Sequence, residues 1–215
     1  MLLFIACLLG QLEPTKTKEP TAAEFIQTCE DFKESFVERE TVRAERAIKY
    51  YRGRGQIVLR YKKYLAALKQ VAKDDTQLPQ CPLRVDDLAI GNIGYPKFVF
   101  LGEEHNGFAG AKVLQLMDGD RVLCTVSDKV FVATGLDTDK IVDNDPIELP
   151  GIWRVSGRYS YQNTLGAQKT VLVISPWKHE AEFNNLIAER KKQAIDVAVT
   201  AKKKSVSKKS SPMEQ

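Results

Sequence analysis

The spacing of apolar residues changes period near residue 80, and this change constrains the fold more than any other feature of the chain. Before it, Phe25, Cys29, Phe32 and Phe36 recur at three- and four-residue intervals. Val37, Thr41, Ala44, Ile48 and Tyr51 continue the stripe one residue on, which is the signature of an amphipathic helix. Thr21-Ala-Ala-Glu24 ahead of Phe25 forms a capping box, so the helix is expected to start at Thr21 and run to about Arg52. Gly53 and Gly55 then fall within three residues. Each costs about 1 kcal/mol against alanine inside a helix, so a turn is expected there. Ile57, Val58, Tyr61, Tyr64, Leu65, Leu68 and Val71 build a second apolar face. The two segments predict an antiparallel helical hairpin of coiled-coil type over residues 21–75.

Residues 76–87, with Pro79 and Pro82, read as a linker. Beyond them the pattern is one of short apolar runs: Lys97 to Leu101, Ala111 to Met117, Arg121 to Val126, Lys129 to Thr134, Pro146 to Leu149, Ile152 to Tyr159 and Thr170 to Ile174. Asp118-Gly-Asp120, Ser127-Asp128, Asp143-Asn-Asp145 and Leu165-Gly-Ala167 supply turns between them. Short strands at this density predict a small antiparallel β-barrel of the OB or SH3-like type over residues 88–177. Helical spacing returns with Phe183, Ile187, Ala194 and Ala198, giving a terminal helix over 178–200. The lysine- and serine-rich residues 201–215 have nothing to bury and are expected to be disordered. The fold class is therefore α+β. With 43% apolar residues, the chain can bury a core without disulfides or metals.

The segment Leu2 to Leu9 is apolar but about half the length a membrane-spanning helix needs. Residues 1–20 read as a signal-like or unstructured N-terminus. A secretory signal peptide and an exported, secreted or envelope location are one expectation, although no Lys or Arg precedes the run. Phe4-Ile5-Ala6-Cys7 is similar to a lipoprotein box, and a cytoplasmic location is the alternative. Cys29, Cys81 and Cys124 sit in no metal-binding pair. Small buried thiols are expected, with a Cys29 to Cys81 disulfide open in an oxidising compartment.

Charge is distributed unevenly. Arg43 to Lys73 holds ten basic residues and one acid, Glu45, and Lys202 to Lys209 adds five lysines. Residues 84–177 carry twelve acids against nine bases, so two basic arms flank a mildly acidic body. Such blocks attract polyanions through their summed field. Arg43, Arg46, Lys49, Arg52, Arg54, Arg60, Lys62, Lys63 and Lys69, interleaved with Tyr50, Tyr51, Tyr61 and Tyr64, form the candidate polyanion-binding set. Arg154, Arg158, Tyr159 and Tyr161 form an alternative nucleic-acid face on one hairpin.

The stretches Gly110-Ala-Lys-Val-Leu-Gln115, Gly135-Leu-Asp-Thr-Asp139, Gly151 to Tyr161 and Lys169-Thr-Val-Leu-Val-Ile174 resemble a small β domain of exported bacterial proteins. The resemblance spans about 75 residues and rests on strand and turn pattern. It implies a barrel in an exported setting and brings no activity with it. Asp137, Asp139, Asp143, Asp145 and Glu148 have part of the spacing of a calcium loop, but Ile141 and Val142 occupy a ligand position and the turn glycine position. Glu104 beside His105 is the sole acid/base candidate, placed in a glycine-rich connection. With no nucleophile, phosphate loop or metal motif, neither an enzyme, a metal, a cofactor nor a small-molecule substrate is expected. The expected function is a non-enzymatic, exported interaction protein. Its barrel acts as a binding or assembly module, and its basic helices anchor it to a protein, an anionic polymer or a membrane surface. An intracellular nucleic-acid-binding protein is the alternative.

Overall fold

The computed structural model describes residues 11–14, 18–74, 80–100, 103–117, 119–162 and 166–209. The expected leader at residues 1–10, the linker core at 75–79 and the end of the tail at 210–215 lie outside them. The chain is α+β and forms two compact units. One comprises the residues up to Thr21 with Gln80–Glu180, and the other Ala22–Pro79 with the residues from Ala181 onward.

The sheet unit contains β1 (Gln11–Pro14), β2 (Ile93–Gly94), β3 (Lys97–Phe100), β4 (Glu103–Asn106), β5 (Lys112–Leu116), β6 (Val122–Val126), β7 (Lys129–Ala133), β8 (Trp153–Gln162) and β9 (Gln168–Pro176). Its main sheet runs β1-β8-β9-β7-β6-β5, with β2 also paired to β8, while β3 and β4 form a separate ribbon. β5 to β7 make an antiparallel meander, and Ser127 adopts a left-handed φ of 53° in the tight turn between β6 and β7. After β7 a long connection carries the chain to the β8–β9 hairpin, and β9 returns parallel to β7, pairing Phe131 with Leu172 and Ala133 with Ile174. The sheet is thus mixed.

It is also open along its β5 edge, so the expected small, partly open antiparallel barrel of the OB or SH3-like type is corrected to an open mixed sheet. Closure would require the outer edge of β5 to meet another strand. Instead the connection before β8 lies along that edge: Val113 N–H donates to Asp145 O at 2.9 Å, Asn144 N–H to Val113 O at 2.8 Å and Ile147 N–H to Ala111 O at 3.1 Å. The run Pro146 to Leu149, expected as a strand, belongs to this cover and contributes only an isolated bridge between Pro146 and Lys112. Proline has no N–H for a ladder, so a loop blunts the edge where a strand would extend it. The opposite flank of β8 is taken by β2 and by β1, whose Gln11 faces Ser160 and whose Pro14 faces Gly157. Gln11–Pro14, expected within a signal-like or unstructured N-terminus, is therefore an edge strand.

Apolar side chains cover both faces of the sheet. One face carries Val113, Cys124, Phe131, Trp153, Val155 and Ile174, and the other Leu123, Val132, Tyr159 and Val173. This explains the near-continuous apolar runs of β6 and β7 in place of strict alternation.

The helical unit contains α1 (Ala22–Tyr50), α2 (Gly55–Lys73) and α3 (Glu180–Lys209). α1 and α2 run antiparallel: Lys33 Nζ donates to Asp74 O at 2.6 Å at one end, Tyr64 Oη to Glu40 Oε2 at 3.2 Å midway, and Tyr51 stacks on Tyr61 at the other. The turn falls at Tyr51–Arg54, where the two glycines sit. The lysines at 202–209, expected to be disordered, instead fall within the last turns of α3. Lysine and alanine are good helix formers, extending an existing helix needs no new nucleus, and cations at a helix C-terminus complement its dipole. Among the described residues no helix is long and apolar enough to cross a membrane.

Candidate polyanion-binding surface

The helical hairpin ends in a tip from which carboxylates are missing. Arg46 to Lys73 contains nine basic residues and no Asp or Glu. The last carboxylate to take part in the packing is Glu40, 12% exposed, which lies 3.6 Å from Arg43 and 3.9 Å from Arg39 and accepts the Tyr64 hydroxyl. Arg43 is thereby partly neutralised. Arg46, Lys49, Arg52, Arg54, Arg60, Lys62, Lys63 and Lys69 are all exposed. Among the described residues, none of the eight is in an ion pair.

The turn decides which of these cations converge. The chain reverses within Tyr51–Arg54, where Gly53 sits with open space around it. Lys49 in the last turn of α1, Arg52 and Arg54 in the turn, and Arg60 in the second turn of α2 then surround the tip. Lys69 lies about 14 Å further down α2 at 1.5 Å per residue and belongs to the shaft. Tyr51 and Tyr61 are stacked with ring centroids 6.3 Å apart and planes within 6°. The Arg54 guanidinium carbon stands 5.9 Å from the Tyr51 centroid, and Tyr50 meets Tyr51 edge-on at 4.8 Å. The aromatic pair braces the turn and fixes Arg54 over it. Two large side chains here nonetheless face solvent, Tyr50 at 82% exposure and Leu59 at 49%. The exposure of Leu59 agrees with its place off the stripe of Ile57, Val58, Tyr61, Tyr64 and Leu65. The role of Glu40, too, was available from its i,i+3 spacing to Arg43.

The alternative face on β8 does not assemble. A β-bulge between Val155 and Gly157 shifts the strand's alternation, so Arg154 shares a face with Tyr159 and Tyr161 while Arg158 points to the other side. Tyr159 is 2% exposed within the sheet core, with Arg121 over its ring at 5.5 Å. Arg154 is engaged by Glu19 at 2.9 Å, and Glu19 also binds Lys178 at 2.6 Å. Burial acts to raise the Glu19 pKa, but hydrogen bonds and charge from Lys178 and Arg154 outweigh it and hold the carboxyl below its usual value. This trio fastens the segment before α1 to the sheet, helped by the Trp177 indole N–H donating to Pro20 O at 3.3 Å.

Glu104 and His105 lie on β4, which corrects their placement in a glycine-rich connection. Neighbouring strand residues face opposite ways, so the two do not form an acid/base pair. Glu104 instead lies 3.3 Å from Lys97 across the ribbon. In the acidic connection, Asp137 accepts from Asp139 N–H and Asp145 from Val142 N–H, so these carboxylates are spent on local turns. Among the described residues no three His, Cys, Asp or Glu side chains converge on a metal-sized site. Cys29, Cys81 and Cys124 are buried thiols outside any disulfide, and burial pushes the Cys124 pKa up to about 12. No protein-family model, curated protein or solved structure matches the chain.

Proposed function

We propose that this chain is a non-enzymatic, exported docking protein that holds an anionic membrane surface through the tip of its helical hairpin, with the sheet unit as the module on which a partner or assembly is built. The observation that carries this reading is the group of exposed Lys49, Arg52, Arg54 and Arg60 at the end of the hairpin that also carries exposed Tyr50 and Leu59, with no carboxylate between Arg46 and Lys73. Cations near an anionic bilayer gain about 1 kcal/mol each, and tyrosine and leucine place an amphipathic body at the headgroup level. A site for nucleic acid alone has less use for a solvent-facing leucine. That Tyr51 and Tyr61 stack on each other also leaves fewer faces for bases. The sheet unit supports a scaffold role, since among the described residues no polar or charged side chain is buried.

The test is co-sedimentation of the full chain with phosphatidylglycerol-containing vesicles, with neutral phosphatidylcholine vesicles, and with single-stranded RNA as competitor. Binding to anionic vesicles alone, not displaced by RNA at equal phosphate, is expected. Displacement of the vesicles by RNA would replace this reading with the nucleic-acid one.

A further inference from the structure

Within the helical unit, contacts order α1 and α3 as parallel neighbours. Phe25 meets Phe183 at 5.1 Å between ring centroids, Arg190 Nη1 binds Glu30 Oε1 at 2.6 Å, and further along Val37 and Glu38 line one groove with Ala194 and Val197. Both helices advance through these contacts at nearly the same pace, so they stay in register. From Glu30, α1 continues for about 30 Å to Tyr50, and from Arg190, α3 continues for about 28 Å to Lys209, at 1.5 Å per residue. Their C-terminal ends therefore lie level at one end of the unit, the end where the chain turns from α1 into α2. Carried forward, the register sets Lys202 to Lys204 level with Arg43 to Glu45, and Lys208 and Lys209 level with Lys49 and Tyr50.

Charge follows the same axis. The last carboxylate of α1 is Glu45 and that of α3 is Asp196; beyond them each helix carries only basic and neutral residues, as does α2 throughout. The other end of α1 is acidic, with six acids against two bases from Ala22 to Glu40. Two basic blocks that the sequence separates by the whole sheet unit thus lie at one end of the helical unit. We infer that the end of α3 is a second contact for the anionic membrane surface, so that the protein holds the bilayer by two prongs, the hairpin tip and the last turns of α3. The inference rests on the reading of the tip as a membrane anchor. A bilayer is a laterally continuous layer of charge and meets both prongs at once, so the second binds at high effective concentration once the first is docked. A lysine block at the opposite end of the unit would instead compete with the tip, because the two could not touch one flat bilayer together.

The experiment is co-sedimentation of the full chain with phosphatidylglycerol vesicles at low salt, for the wild type, the tail variant K202Q/K203Q/K204Q/K208Q/K209Q and the tip variant K49Q/R52Q/R54Q/R60Q. Glutamine is as good a helix former as lysine, so circular dichroism of the tail variant should keep the wild-type helical signal. The tail variant is expected to bind about tenfold or more weakly than wild type, and the tip variant to be weakened as well. Contact itself is read with S205W and Y50W, each in the full chain, on vesicles carrying a nitroxide on part of their headgroups. Trp153 and Trp177 are buried in the sheet unit, so quenching of the added emission should appear for both variants. A tail variant that binds like wild type, or Y50W quenched while S205W is not, would overturn the inference and leave the tip standing. A wild type that ignores the vesicles, or a tip variant that binds like wild type, would overturn the reading of the tip and the inference with it.

Discussion

Replacing Glu19 by glutamine removes a charge that two cations share, and the structure fixes both the size of the effect and its pH dependence. Glu19 is 18% exposed and Arg154 16%, so the 2.9 Å pair is largely withdrawn from water, whereas Lys178 is 65% exposed. Truncating one partner of a fully buried pair costs about 3–5 kcal/mol, while an exposed pair is worth less than about 1 kcal/mol. With residual solvent access and a neutral acceptor retained in glutamine, E19Q should cost the sheet unit about 2 kcal/mol, or about 4–8 °C in Tm. Both tryptophans, Trp153 and Trp177, are buried in the sheet unit, so a thermal melt followed by tryptophan fluorescence reports on that unit alone. The Glu19 pKa is depressed by folding. Its stabilisation is therefore complete above the unfolded carboxyl value of about 4.3 and is lost as pH falls through the lower folded value. The gap between wild type and E19Q should be constant from neutral pH to about pH 5.5 and shrink below about pH 4. Indistinguishable melting at pH 7, or a gap undiminished at about pH 3, would refute the assignment of Glu19 as a charged clamp.

Three further outcomes follow from packing. A methyl group at Gly94 would sit 2.6 Å from the Cys81 carbonyl oxygen and 2.8 Å from Leu83 N, both backbone atoms, so G94A should lose about 3 kcal/mol or more in a urea melt. Gly151 has φ +75°, and its Cβ position lies 2.7 Å from Glu180 Oε2. G151A should therefore cost about 1–2 kcal/mol from conformation plus a steric part, and adding E180A should recover only the steric part. Cys124, with its thiol at about 12, should resist a thiol-reactive disulfide reagent at pH 8 in the native protein and react when it is unfolded.

Helices α1 and α2 were legible because their stripes and the two glycines are local signals. So were the cores of β5 to β9, whose apolar runs are bounded by turn residues. The polar strand β4, Glu103–Asn106, and the edge strand β1, Gln11–Pro14, carry no such pattern, since their pairing comes from partners elsewhere in the chain. Closure of the sheet is a long-range property too. Whether the edge of β5 meets a strand or a loop was decided by residues 144–147, and only Pro146 hinted at a loop. At the candidate site the cations could be counted in advance. Their sorting depended on the turn, which gathers Lys49, Arg52, Arg54 and Arg60 and leaves Lys69 on the shaft. On β8, a bulge that no spacing rule reveals put Arg154 and Arg158 on opposite faces.

Binding of an anionic surface by the charge of the hairpin tip is tested most directly by the salt dependence of vesicle binding with and without the tip cations. Lys49, Arg52, Arg54 and Arg60 changed together to glutamine should leave folding nearly intact, since exposed changes usually cost within about 0.5 kcal/mol each. At about 1 kcal/mol of surface attraction per cation, affinity for phosphatidylglycerol vesicles should fall by up to about a thousandfold at low salt. Wild-type binding should itself weaken steeply as salt shortens the Debye length from about 10 Å at 0.1 M toward 3 Å at 1 M, converging on the variant. Equal binding by both proteins, or wild-type binding indifferent to salt, would contradict the claim and leave the tip as solvated surface.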